Sequence, residues 1–137
     1  MARRAALLEA AERVALERGL ANTGVADVAA ATDVSAGLIH YHFSSKDELF
    51  VEMLRTVAQR DIDRVRRIVD TNGTAVARLD RVLREFVPAQ RGDLRWVLWI
   101  DAWGAGLRDE SMRQISEELD AAWNDMLESI IVDGVRS

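Results

Sequence analysis

Residues 34 to 50 read VSAGLIHYHFSSKDELF and gather both histidines of the chain, its one tyrosine and its one lysine. Imidazole and phenol rings combine stacking area with hydrogen-bonding groups, and an ammonium pairs with phosphate or carboxylate. Ser35 supplies an N-cap for a short helix reaching about Phe43, on which Ile39 and Phe43 lie one turn apart and face inward. Ala36, Gly37, His40 and Tyr41 then look outward. A solvated helix face normally carries charge and strong helix formers, so two small residues followed by two polar rings suit close approach to another surface. Lys46 stands at the first position of the next helix, where the macrodipole favours acids, and Asp47 and Glu48 follow it. The cation gains nothing from its own helix. The free N–H groups of that helix start, the Ser44 and Ser45 hydroxyls and the Lys46 ammonium make a candidate phosphate site. A short helix, a turn and an exposed second helix beside such a clamp describe a helix-turn-helix reading head for a DNA groove.

The elements that position these residues are helical from end to end. From Arg4 to Arg18, Leu7, Ala11 and Val14 form one stripe, Glu9, Arg13 and Glu17 lie off it, and Gly19 stops the helix. A second, short helix fits Val25 to Thr32, with Val28 and Ala29 inward, Thr23 or Gly24 at its cap and Asp33 at the following left-handed turn. Ser45 and Glu48 form a capping box for a long fourth helix marked by Phe50, Leu54, Val57, Val65 and Ile68, roughly 37 Å if it runs to Asp70. Asn72-Gly73 ends it. A fifth helix carries Val76, Leu79, Leu83 and Phe86 before Pro88; a sixth starts after an Asp93 cap and reaches about Leu107. The seventh, from Asp109 or Glu110, has the stripe Met112, Ile115, Leu119, Ala122, Trp123, Met126 and Ile130, and Gly134 is expected to close it. The fold class is therefore all-α: a three-helix head at 1–46, joined by the long helix to a helical regulatory part at 47–137.

Composition excludes several function classes. With 137 residues, no cysteine and 49% hydrophobic residues, the chain can bury a core without disulfides, and cysteine-based redox chemistry is not expected. A net charge of −5 argues against a surface coated in basic residues but leaves room for a local basic site. The opening MARRAALLEAAERVAL has the basic start of a signal peptide, yet Glu9 and Glu12 interrupt the apolar stretch; a cytoplasmic protein is expected. No other window supplies the roughly 18 uncharged apolar residues of a membrane span. His40 and His42, two apart on a helix, point roughly 200° apart, and no cysteine or suitably spaced acid joins them, so neither a metal site nor a cofactor is expected. No nucleophile stands with a base, and there is no glycine-rich phosphate loop or recognisable pair of carboxylates, so an enzyme is not expected. Arg3 and Arg4 are read as a tail or as an arm for the minor groove.

The run from about Ala5 to Phe50 resembles the N-terminal domain of the TetR family of bacterial transcriptional regulators. V-S-x-G at Val34 to Gly37, H-F at His42-Phe43 and S-K-D-E-L at Ser45 to Leu49 occur in order and at family spacing. The resemblance implies a ligand-responsive regulator, a repressor, that binds double-stranded operator DNA through helices two and three, works as a homodimer and is released by a small-molecule inducer. Carried over by position, Ser35, the cap of the reading helix, belongs to the DNA-binding set. Ala36, Gly37, Leu38 and His40 lie nearest bases, Tyr41, His42 and Lys46 contact phosphates, and Thr23 or Gly24 touches backbone phosphate. His40 departs from the family's usual tyrosine and Asp33 from its usual glycine. The alternative reading is a helical ligand-binding or protein-interaction module whose head is not used on DNA.

Trp96, Trp99 and Trp103 recur at three- and four-residue steps and share a helix face, which suits core packing, a dimer interface or a cavity wall. With Phe86, Met112, Trp123 and Met126 on neighbouring helices, they are candidates for an apolar cavity that takes flat, hydrophobic or cationic small molecules. Arg95 and Asp101 become polar anchors if they turn inward. The part after Arg95 is similar to a TetR subgroup that includes choline-responsive repressors. The family usually adds about two more helices for dimerisation, so the resemblance implies either a shortened regulatory part or pairing through other surfaces.

Overall fold

Helix α1 (Ala2–Arg18) buries the stripe its spacing predicts: Leu7, Ala11 and Val14 are at most 4% exposed, while Glu9, Arg13 and Glu17 face solvent. Gly19 ends it at φ 87, a left-handed conformation that glycine adopts without penalty, and a 3-10 turn (Leu20–Asn22) follows. The computed structural model describes residues 2–88 and 90–136. Helix α2 (Val25–Thr32) turns inward through Val28 and Ala29, and Asp33 closes it at φ 56. Helix α3 (Ala36–His42) is capped by the Ser35 hydroxyl, which accepts from the Leu38 N–H at 3.1 Å, and rests on buried Ile39 and Phe43.

The long α4 (Lys46–Val69) holds the molecule together, burying Phe50, Leu54, Val57 and Val65 at the expected positions. Its cap departs from the sequence expectation. Ser45 accepts from the Glu48 N–H at 3.1 Å, but the Glu48 carboxylate reaches back to the N–H and hydroxyl of Ser44 rather than to the Ser45 N–H. Helix α5 (Ala75–Phe86) turns a different stripe inward from the one expected: Val82 is fully buried with Leu79 and Phe86 beside it, whereas Val76 and Leu83 are exposed. Helix α6 (Leu94–Gly106) starts on the Asp93 cap, and α7 (Glu110–Arg136) starts where predicted. Gly134 does not end α7. It lies within the helix where a Cβ would stand 3.2 Å from the Ala75 Cβ, so its smallness serves the close approach of α7 to α5.

Two apolar clusters organise the chain. The larger runs from α1, α2 and α3 through the first half of α4 into Leu98, Trp99 and Ala102 of α6 and Met112, Ile115 and Leu119 of α7. The smaller joins the far ends of α4, α5 and α7 through Val65, Val82, Met126 and Ile130. Ile62 and Trp123 pack against both, so the two clusters meet at the middle of α4 and α7.

Candidate functional site

Two sites stand apart from the packing. The first is the outer face of α3. Ser35, Ala36, Gly37, His40 and Tyr41 are exposed, Tyr41 to 83%, and the Tyr41 ring meets His42 edge-on at 5.2 Å. Leu38 and His42 are half-buried, because each sits on the flank between the Ile39 face and the outward one. The Lys46 ammonium lies 5.8 Å from the centroid of the Phe50 ring, and among the described residues no carboxylate pairs with it. It is a cation at the positive end of its own helix, a position the helix dipole disfavours.

The phosphate site expected at this corner is partly filled from within. The Glu48 carboxylate occupies the Ser44 N–H and hydroxyl, and those two bonds, with the Arg4 charge assisting, hold its carboxyl below the usual carboxylate range. Lys46 and the Ser45 end of the helix remain open. Thr23 requires a correction: it is fully buried, and its hydroxyl donates to the Gly19 carbonyl at 2.8 Å, so its side chain cannot reach a phosphate. Gly24 caps α2 and gives its own N–H to the Asp27 carboxylate at 2.8 Å. Arg4 is neither tail nor arm. It belongs to α1, 4.7 Å over the Phe43 ring and 3.7 Å from Glu52, where it ties α1 to the end of α3 and to α4.

The second site is a cavity of about 230 Å³ where the two clusters meet. Trp96, Trp99 and Trp103 of α6 line it together with Phe86 of α5 and Trp123 of α7. Phe86 and Trp123 are 4.0 Å apart between ring centres, and Trp96 and Trp103 meet edge-on at 6.1 Å. Met112 and Met126, expected on this wall, are buried instead in the larger and the smaller cluster, because their steps along α7 turn them into the packing. Asp101 faces the other way, toward the Leu20 N–H, while Arg95 does reach the cavity rim.

Four polar residues of the wall were not anticipated: Asp61, Arg64, Glu85 and Asp120. Arg64 bridges Asp61 at 3.2 Å and Glu85 at 2.9 Å, Arg95 adds a contact to Glu85 at 3.3 Å, and the Trp99 indole N–H donates to Asp61 at 3.3 Å. Three carboxylates therefore face two guanidinium groups around an aromatic cavity. Asp61 did leave a signal in the sequence, since it falls on the apolar stripe of α4, four residues after Val57 and four before Val65. A wider groove of about 610 Å³ between α4 and α7 mixes apolar residues with charged ones, several of which pair, such as Arg55 with Glu118 at 2.8 Å. Among the described residues no cluster of three His, Cys, Asp or Glu side chains could hold a metal ion, and no helix is long and apolar enough to cross a membrane.

Comparison with known proteins bears on both sites. The family model for bacterial regulatory proteins of the tetR family matches residues 7–53, and the model for the C-terminal part of BetI-type transcriptional repressors matches residues 75–137. The chain belongs to the TetR family. The first match contains the whole of α2, α3 and the start of α4; the second contains α5 to α7 and most of the cavity wall. Among curated TetR relatives, the transcriptional repressor KstR2 of Mycobacterium tuberculosis is 39% identical over 77 residues, covering 56% of this chain and 38% of that protein. The regulator PksA of Bacillus subtilis is 29% identical over 93 residues, covering 68% of this chain and 45% of that protein. The chain thus matches less than half the length of these relatives. Among solved structures, a protein from Saccharomonospora viridis described as a transcriptional regulator and solved in complex with choline superposes with a TM-score of 0.88. It is 27% identical, and the match covers 98% of this chain and 70% of that one.

Proposed function

We propose that the chain is a ligand-responsive transcriptional repressor that works in the cytoplasm as a homodimer. In this reading α2 and α3 dock in the major groove of operator DNA. The observation that carries it is the exposed face of Ala36, Gly37, His40 and Tyr41 standing beside the Lys46 ammonium at the start of α4. Small residues let the helix approach base edges, His40 and Tyr41 offer hydrogen bonds, and Lys46 supplies a phosphate contact that fixes register. The heads of two copies double the contacts that one short helix can make and set the half-site spacing.

The ligand site is the aromatic cavity between α4, α5, α6 and α7. At about 230 Å³ it is smaller than the usual drug-sized site of roughly 300–1,000 Å³, which selects a small ligand. Indole faces attract cations, and the surplus carboxylate on the wall adds to that attraction. A compact organic cation of choline's kind fits these terms, as does a small uncharged aromatic. Ligand binding releases DNA by favouring a head orientation that no longer matches the groove, and it shifts the equilibrium only by its differential affinity for the two states.

The test is selection of bound duplexes from a random pool, followed by gel-shift titration of the winners with choline, phenyltrimethylammonium and small neutral aromatics. A selected motif with two related half-sites, and its release by one of these compounds, is the expected result. Recovery of no motif would overturn the DNA reading. Release by none of them would overturn the ligand class.

A further inference from the structure

Helix α6 presents different residues to two places at once. Trp96, Trp99 and Trp103 face the cavity, while Asp101, two residues from Trp99 and so roughly 200° around the helix, faces the head. Its carboxylate accepts the Leu20 N–H at 3.2 Å. That amide opens the 3-10 turn, and further bonds brace the turn on either side of Ala21. The Thr23 hydroxyl donates to the Gly19 carbonyl at 2.8 Å, the Asn22 side chain donates to the Arg18 carbonyl at 3.2 Å, and Gly24 caps α2. Leu20, 5% exposed, packs in the same cluster as Leu98 and Ala102 of α6. Only Ala21, Asn22 and Thr23 therefore separate the carboxylate contact at Leu20 from Gly24, the cap of α2.

We propose that Asp101 is a positioning residue that couples the aromatic cavity to α2 through α6 and the 3-10 turn, by a route that does not run along α4. The proposal rests on the reading of the cavity as the ligand site and of α2 and α3 as the reading head. A helix moves as a stiff body, so a ligand that displaces the indole of Trp99 displaces Asp101 with it. The hydrogen bond at 3.2 Å tolerates only a few tenths of an ångström before it breaks. Its breakage frees the first amide of the turn and, through the braces, the orientation of Gly24 at the cap of α2. The apolar packing of Leu20 on α6 remains, so the turn loosens rather than detaches.

The experiment is a double-mutant cycle read by hydrogen exchange at the amides of residues 20–24 in the full chain, without ligand or DNA. Trp99→Phe is the cavity-side change, because it removes the indole bond to Asp61. Trp103→Ala, at a half-exposed position, repeats the test should the first variant be poorly folded. Asp101→Ala and Asp101→Asn are the head-side changes. Asp101→Ala alone should speed exchange at Leu20 about tenfold, the effect of one hydrogen bond to a charged acceptor. The cavity variants should alter exchange at residues 20–24 in the parent and in Asp101→Asn, whose amide oxygen still accepts, but not in Asp101→Ala. A cavity effect of equal size with and without Asp101, or no cavity effect at these amides in the parent, would overturn the coupling. The duplex selection above fails or succeeds independently of this cycle, so the two readings can be told apart.

Discussion

At the scale of single residues the corner between α3 and α4 is a balance of charges. Lys46 offers an ammonium to a phosphate, while Glu48, two residues on, already fills the donors of Ser44. The arrangement organises the helix start through bonds within the chain, the preorganisation on which the proposed phosphate contact would draw. Because the Ser44 bonds lower the Glu48 carboxyl below its unfolded value, their stabilisation is complete at pH above the ordinary carboxylate range and is lost as pH falls through the folded value. Acid unfolding followed by circular dichroism should therefore show the parent losing stability more steeply as pH falls through the folded Glu48 value. Glu48→Gln, which carries no titrating group, should show a flatter acid limb and an unchanged response between pH 6 and 8. The carboxylate at this position was legible in the sequence as a capping box. Its true partner was not, because Ser44 and Ser45 offer the same hydroxyl one residue apart and only the backbone path decides which the carboxylate meets.

At the scale of helices, the elements follow their apolar spacing closely, and the exceptions have a common cause. On α5, the set Val76, Leu79, Leu83 and Phe86 and the set Ala75, Leu79, Val82 and Phe86 are both helical stripes, since apolar residues cover more than half of its circumference. Packing against α4 and α7 chooses the second. Glycine is ambiguous in the same way. Gly19 does stop a helix at positive φ, whereas α4 already ends at its Asp70 cap and Gly73, also at positive φ, only shapes the turn before Thr74; Gly106 and Gly134 are small where helices approach closely, and residue type alone does not separate these uses. A Cβ at Gly106 would lie 3.2 Å from the Arg113 Cα, against backbone that cannot swing aside. Gly106→Val should cost about 1–3 kcal/mol in urea unfolding by prising α6 from α7. An unchanged midpoint would show that this approach is slack.

At the scale of the whole molecule, the cavity lies at the join of the two clusters, and all four tryptophans of the chain line it. The Trp96, Trp99 and Trp103 face was visible in the sequence from spacing alone. The network of Asp61, Arg64 and Glu85 was not, because it assembles from α4 and α5 at positions far apart in the chain. A ligand seated there touches α5, α6 and α7 together and should stabilise the fold by linkage, about 2.7 kcal/mol at a hundredfold excess over its Kd. Tryptophan emission should change over the same concentration range. A compound that changes emission without raising the unfolding midpoint would not be bound in the native cavity.

The most direct measurement is the affinity of the parent, Lys46→Ala and His40→Ala for a selected duplex and for random duplex across a salt series. Lys46→Ala should weaken binding to both duplexes and lower the slope of log affinity against log salt by about 0.9 for each phosphate that the ammonium had neutralised. His40→Ala should leave the slope alone and change preference at one base position by about 1–3 kcal/mol. Binding of both variants indistinguishable from the parent on both duplexes would remove the reading head from α3 and the start of α4.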